Sequence, residues 1–480
     1  MESSSYIKKC ICGFSLEGGD SLAFSTFDGK SLNNKTYQQF VDEILLSAGY
    51  FKQARIINQH IALISLDSYE WLVSLFAIIS SGNIAILINP ALPDDALQYQ
   101  CKIADTTYIC GDASVIFQLP LDIECDNRIP YGKLKSKKCI PMDEVYTADY
   151  RSPIILMFTS GTMGKSKAVM LTSENLQNSI NNIEGMYALP GMERVYPTIP
   201  MYHIGALRYV LASLQRYKTI CLGRGGKYLF VDMPHLNPTG AVFVPAIIES
   251  LAKVLKRTST AEGRKKLLGT NFHRISYGGA VLKPSVTRYM MEQGFIVDVI
   301  YGMTETTCDG TWCVLDERHI GTLGKLCGDM QCQIRNGEIM LKNASILSGY
   351  YNDAAETATV VENGWIHTGD LGYCDKDGYF YLTGRKKNVI ILSNGENVNP
   401  EEIEAQFSKC PEILECLVYG DKKGICADVY TINESAASDF IKKYNEAVPL
   451  YRQVYKVYYS SAPLEKTGSG KIKRKENVYV

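Results

Sequence analysis

Two short runs, His60-Ile61-Ala62-Leu63-Ile64-Ser65 and Ile84-Ala85-Ile86-Leu87-Ile88, are apolar at nearly every position, and Trp71 to Ile79 between them reads as a helix. A strand that alternates apolar and polar residues can leave one face in water. A strand that is apolar throughout needs cover on both faces, which is the condition of a parallel sheet flanked by helices. Strand, helix and strand of this kind therefore predict an α/β fold with a doubly wound sheet. The pattern returns at Ile154-Ile155-Leu156-Met157, at Ala241-Val242-Phe243-Val244 before a helix from Ala246 to Lys256, at Ile275-Ser276-Tyr277, and at Val297-Asp298-Val299-Ile300. The most apolar stretch, Trp71 to Pro90, is interrupted by Ser80-Ser81-Gly82-Asn83, too early for either half to span a bilayer, so no membrane span is expected.

At 480 residues the chain exceeds one compact core, so two or more domains are expected. Its 50 basic and 51 acidic side chains nearly cancel, which removes any global attraction to nucleic acid or an anionic membrane. The basic stretch Arg257 to Lys266 has no interleaved aromatics and reads as a solvated loop rather than a nucleic-acid patch. The 15 cysteines are scattered and odd in number, and Met1 to Ser5 is polar with no long apolar region after it. No signal peptide is expected, and a reducing cytosol is the expected location. Cys308, Cys313, Cys327 and Cys332 lack the paired spacing of a zinc site.

Helical spacing is also read from Leu32 to Tyr50 with Gly49 as a stop, and after a cap at Thr172 or Ser173. Residues 122–150 are polar and lysine-rich and read as a surface loop. From about Gly321 the texture changes. The turn signals Asn336-Gly337 and Asp377-Gly378 predict a small antiparallel, barrel-like unit, and strands and a helix from Pro400 follow.

Three strand ends open into glycine-bearing loops: Phe158 to Ala168, Tyr277-Gly278-Gly279-Ala280 and Tyr301-Gly302. Ligands of open α/β sheets lie beyond the carboxyl ends of strands, so one composite site is expected there. In the first loop, Thr159, Ser160, Thr162 and Ser166 offer hydroxyls, Gly161 and Gly164 allow close backbone approach, and Lys165 and Lys167 supply charge, a set suited to phosphate oxygens. By composition alone it could equally be a surface loop. A P-loop kinase motif is ruled out by spacing, because the position that needs glycine holds Thr159.

Taken in order, these blocks resemble the adenylate-forming superfamily of acyl- and aryl-CoA synthetases, peptide-synthetase adenylation domains and luciferases. Residues 158–168 resemble that family's T-S-G-T-T-G-x-P-K-G phosphate loop, with Met163, Ser166 and Ala168 departing from it. Tyr301-Gly302-Met303-Thr304-Glu305 is similar to its Y-G-x-T-E block and His367-Thr368-Gly369-Asp370 to its T-G-D block. Gly384-Arg385 with Lys386 to Asn388 is similar to the hinge block, continued by Gly395 to Val398 and Pro400 to Glu404. Gly468 to Arg474 resembles the terminal G-K-x-x-R element, and Lys35-Thr36-Tyr37 an early T-Y-x-x-L block with Phe40.

The resemblance implies a large N-terminal domain of doubly wound α/β subdomains plus the barrel-like unit over residues 1–384. A hinge at residues 385–388 and a small mobile α+β domain over residues 389–480 would follow. It implies ATP, Mg²⁺ and coenzyme A, or a carrier protein's phosphopantetheine, as cofactors, and a small carboxylic acid as substrate. A carboxylate attacks the α-phosphate of ATP to give an acyl-adenylate and pyrophosphate, and a thiol then displaces AMP. Thr159, Ser160, Gly161, Thr162, Gly164 and Lys167 would bind the β- and γ-phosphates. Thr304 would touch phosphate and Glu305 would hold the metal. Gly278, Gly279, Ala280, Tyr301 and Gly302 would line the adenine pocket, while Asp370 and Arg385 would bind ribose. His203, Tyr277 and Met303 would border the acid pocket, Asn388 would be the hinge, and Lys471 would bridge the carboxylate and the α-phosphate in the first half-reaction. No acidic residue for an amino-acid substrate stands among Met201 to Gly205, which implies a plain acid. The chain ends at Val480, so a carrier would be a separate partner. Oligomeric state is left open.

Overall fold

In a computed structural model the described residues are 5–121, 124–135, 138–147, 149–159, 166–258, 260–392, 396–421, 423–466 and 472–475. Two large sheets carry the first part of the chain. One has six strands in the order Arg128–Pro130, Tyr108–Gly111, His60–Ile64, Ile84–Ile88, Pro153–Phe158 and Ala168–Thr172, all neighbours parallel except the last pair. The other has nine, with six neighbouring strands in parallel at its centre: Leu22–Phe27, Thr219–Leu222, Arg194–Pro197, Gly240–Phe243, Arg274–Gly278 and Ile296–Tyr301.

Strand alternation explains the continuous apolar runs. Ile61, Leu63, Ala85 and Leu87 face a cluster shared with Phe24, Val195 and Ile220 of the second sheet. Ala62, Ile64, Ile86 and Ile88 face a separate cluster on the opposite side. The helix Tyr69–Ser80 belongs to the shared cluster and is buried at every position but Glu70. The second sheet is covered likewise, with Ala241, Phe243, Ile275 and Tyr277 in a third cluster. Inside it Arg274 donates through Nε to Asp298 across 2.8 Å, and both side chains are fully buried.

Residues 331–385 form five antiparallel strands, with the predicted Asn336-Gly337 turn between Gln331–Arg335 and Glu338–Lys342. The long strand Trp365–Cys374 pairs with Glu338–Lys342, Val361–Glu362 and Phe380–Arg385, and its register shifts at Leu371 and Gly372. A fourth apolar cluster draws only on residues from Ile390 to Val454, where Ile413–Asp421, Gly424–Thr431 and Val454–Ser460 form a sheet beside the helices Pro400–Phe407 and Glu434–Ala447.

Three local expectations are corrected. Leu32–Thr36 is an edge strand paired with Leu22–Phe27, and the helix runs from Tyr37 to Gln53, past Gly49. Its start is set by Thr36, whose hydroxyl accepts from the Gln39 N–H while the Gln39 side chain accepts from the Thr36 N–H. The basic stretch is not a loop throughout, because Ala261–Leu268 is a helix capped by Thr260. Residues 122–150 include the edge strand Arg128–Pro130, where Arg128 donates to the carbonyls of Ile116, Leu119 and Leu121. Periodicity misses short edge strands because pairing, not sequence, creates them. Among the described residues no helix is long and apolar enough to cross a membrane.

Candidate active site

The phosphate-loop candidate joins two antiparallel strands. Phe158 faces Ala168 across the ladder, and the Thr159 N–H donates to the Lys167 carbonyl (3.2 Å), closing the base of the loop. Ser160, Gly161, Thr162 and Gly164 lie outside the described residues, as does Lys471. Ser166 replaces the family's proline, and its hydroxyl accepts from the buried Gln100 Nε2 (3.1 Å). Lys167 forms an ion pair with Glu356 and lies 5.1 Å from the centre of the Tyr350 ring.

Glu305 sits on the single helical turn Thr304–Thr306, directly after the strand Ile296–Tyr301. The chain leaves this turn through two consecutive residues in the left-handed region, Thr307 (φ 53°) and Cys308 (φ 57°). Such geometry is costly for residues with a Cβ and must be held in place. It is held by buried polar contacts: Ser179 donates to the Thr307 carbonyl (2.8 Å), Thr307 to the Ser345 carbonyl (2.7 Å), and Arg208 to the Cys308 carbonyl (2.7 Å). Gly302 is required by the same turn, since a Cβ there would lie 2.5 Å from the Cys308 carbonyl group. Burial pushes the Glu305 carboxyl above its ordinary range, against the Tyr350 hydroxyl and the charges of Arg385 and Lys167. Tyr350 donates to Oε1 (2.9 Å). A hard oxygen of this kind fits Mg²⁺, which takes one or two carboxylates beside phosphate oxygens.

Tyr301, Asp370 and Arg385 converge. Asp370 and Arg385 face each other across neighbouring strands, and Arg385 Nε lies 2.6 Å from Asp370 Oδ1. The Tyr301 hydroxyl donates to Asp370 Oδ2 (2.7 Å). Burial first, then the Asp370 charge, raises the Tyr301 hydroxyl well above its ordinary value, so it stays a donor. Gly278 and Gly279 end the adjacent strand. A Cβ on Gly278 would lie 2.7 Å from the Ile300 carbonyl oxygen, and Gly279 has φ 78°, while Ala280 is exposed.

His203 precedes the helix Ile204–Gln215, its ring 4.8 Å from that of Tyr202. The turn before it hangs on Asp67, whose two oxygens accept from the Met201 N–H (3.0 and 3.1 Å). Burial raises the Asp67 carboxyl to about 7. Met303 is half-buried beside the Glu305 turn. Tyr277 is 3% exposed in the cluster of Phe243, Leu282 and Met290, whereas the helix after His203 packs in a different cluster. At the expected hinge position Asn388 donates to Glu401 Oε1 (2.5 Å), and the same carboxylate pairs with Arg474 (3.2 Å). Lys466 and Ile472 pair across the segment that contains Lys471.

Asp67, Gln100, Tyr350 and Glu356 were not marked by any motif in the sequence. Each acts on a residue far away in the chain, and an acidic or aromatic side chain in a turn carries no local signal of that.

A model of the AMP-binding enzyme family matches residues 18–351. The chain is 26% identical to a 2-succinylbenzoate–CoA ligase of Bacillus cereus over 84% of its length and 85% of the relative's. It is 30% identical to peroxisomal OPC-8:0-CoA ligase 1 of Arabidopsis thaliana over 94% of its length and 90% of the relative's. In structure it is similar to O-succinylbenzoate coenzyme A synthetase from Bacillus subtilis in complex with AMP, with a TM-score of 0.82, 22% identity and 97% of each chain covered. An anthranilate CoA ligase in complex with anthranoyl-AMP gives a TM-score of 0.84 at 16% identity over 98% of this chain and 96% of the other. At these identities the structural likeness speaks for the fold.

Proposed function

The chain belongs to the AMP-binding enzyme family, and from that premise we propose that it is an AMP-forming acid:CoA ligase. It would activate a carboxylic acid with ATP, release pyrophosphate, and pass the acyl group to the thiol of coenzyme A. The observation that carries this reading is a set of contacts between segments distant in the chain: Lys167 beside Tyr350, Tyr350 on Glu305, and Tyr301 with Arg385 on Asp370.

The first half-reaction brings a carboxylate oxygen to an α-phosphate that is itself anionic, so cations and donors must be in place beforehand. Lys167 takes the charge of the departing pyrophosphate together with the loop hydroxyls Thr159, Ser160 and Thr162. Glu305 holds Mg²⁺, which when bound neutralises phosphate charge, and Thr304 contacts phosphate beside it. Asp370 accepts from the ribose hydroxyls, with Arg385 and Tyr301 fixing its orientation. Lys471 bridges the acid and the α-phosphate, where a point charge on a long stem reaches two anionic oxygens. Residues 1–384 form the adenylation domain and residues 389–480 a lid that turns about residues 385–388, withdrawing Lys471 before thiol attack. The protein is assigned to a reducing cytosol, consistent with its fourteen described free cysteines.

The acid is read as a monocarboxylate with an apolar or aryl body. The single cation of the helix Ile204–Gln215, Arg208, is 2% exposed and turned onto Asp309 and the carbonyls of Ser179 and Cys308, so this helix offers no free cation to a second carboxylate. Acid-dependent ATP–pyrophosphate exchange over aryl, short-chain and long-chain acids tests the whole reading. Exchange with one class, and product formation only with coenzyme A present, is expected. No exchange with any acid, from folded protein with Mg²⁺, rules the reaction out.

A further inference from the structure

We propose that Tyr350 is a positioning residue that holds Glu305 and Lys167 apart and in register for the metal–nucleotide complex. The inference rests on the adenylation reading above.

The segment around Tyr350 is fastened independently of its side chain. It lies along the strand that follows the phosphate loop: the Met170 N–H donates to the Gly349 carbonyl (3.0 Å), the Tyr351 N–H to the Ala168 carbonyl (2.8 Å), and Val169 faces Tyr350 in an antiparallel bridge. The Leu347 N–H donates to the Glu305 carbonyl (2.8 Å), and the Tyr350 N–H to the Thr357 hydroxyl (2.9 Å). The backbone of one short segment therefore touches both the strand behind Lys167 and the turn that carries Glu305.

The side chain then acts on both charges. Its ring faces the Lys167 ammonium at 5.1 Å and its hydroxyl donates to Glu305 Oε1 at 2.9 Å, with the residue 4% exposed. Lys167 and Glu305 carry opposite charges in a partly buried site, and a direct pair would take the Glu305 carboxylate away from the metal. The ring face stabilises a cation without neutralising it. The hydroxyl occupies one carboxylate oxygen and fixes the direction of the other. Glu356, the third residue of the helix Ala354–Val360, supplies the carboxylate partner of Lys167 in place of Glu305. A buried tyrosine that merely satisfies its hydroxyl would show the same bond to Glu305. It would have no reason to alter how the metal assists nucleotide binding.

The test measures binding of α,β-methylene-ATP to the full-length chain by calorimetry across a Mg²⁺ titration. Tyr350→Phe keeps the ring over Lys167 and removes the hydroxyl. The Mg²⁺ concentration for half-maximal binding is expected to rise about tenfold, the scale of one hydrogen bond to a charged group, with metal-free binding unchanged. Thr357→Val loosens the Tyr350 backbone without touching its ring or hydroxyl, and should shift the same midpoint in the same direction even if Tyr350→Phe fails to fold. Wild-type protein that binds the analogue with Mg²⁺ dependence, together with folded variants shifted by less than about twofold, overturns the proposal alone. Wild-type protein without Mg²⁺-dependent binding overturns the adenylation reading and this proposal with it.

Discussion

At the scale of single residues, Asp67 shows how a group without a motif can govern a site. Its carboxylate ties the strand end after Ile64 to the turn that presents His203. Burial raises its carboxyl to about 7, above the ordinary carboxylate value, so the folded chain keeps a proton that the unfolded chain has lost. Its contribution to stability is therefore complete below about pH 4 and declines as pH rises to about 7. Thermal midpoints measured between about pH 5 and 8 should fall more steeply for the wild type than for Asp67→Asn, whose amide does not titrate. Parallel curves would show that Asp67 is ionised in the folded protein throughout. Position decides this shift. The same Leu-Asp-Ser triplet on the surface would titrate as an ordinary aspartate.

At the scale of elements, the phosphate loop shows what replaces a missing constraint. Ser166 cannot restrict φ as proline does, but its hydroxyl is held by Gln100 from the helix Asp94–Ile103. Gln100→Leu should leave the fold intact and raise the KM for ATP by roughly threefold to tenfold, the effect of about 1 kcal/mol of hydrogen bonding, with the KM for the acid unchanged. Equal effects on both KM values would place Gln100 in general packing. The loop's hydroxyls, glycines and lysines were legible as a candidate phosphate site. Its support was not, because Gln100 reads as one polar residue of an amphipathic helix until tertiary structure sets it against Ser166.

At the scale of the whole molecule, the proposed hinge and the terminal lysine segment share an anchor. Glu401 accepts from Asn388 and pairs with Arg474, and Arg474 also pairs with Glu404 at 2.7 Å. Lys471 lies outside the described residues, but the pairing of Lys466 with Ile472 and of Arg474 with Glu404 seats its neighbours on the C-terminal unit. A lysine carried on a rotating lid should serve one half-reaction only. Lys471→Ala is expected to cut acid-dependent ATP–pyrophosphate exchange by about a hundredfold or more, while thioester formation from supplied acyl-adenylate and coenzyme A persists. Equal losses in the two assays would contradict the turning lid.

The sequence by itself determined the layered α/β class, because continuous apolar strands have no other stable cover. It also determined the residue types at the site, since phosphate, ribose and metal each demand particular donors and charges. Tertiary structure alone decided which of those residues meet. It put Tyr301 on Asp370, set Tyr277 among core side chains, and brought in Gln100, Tyr350 and Glu356 from segments with no motif. The reason is physical: residue type sets what a side chain can bind, whereas burial and partner depend on which strands lie side by side, and that is settled only when the sheets close around their shared core.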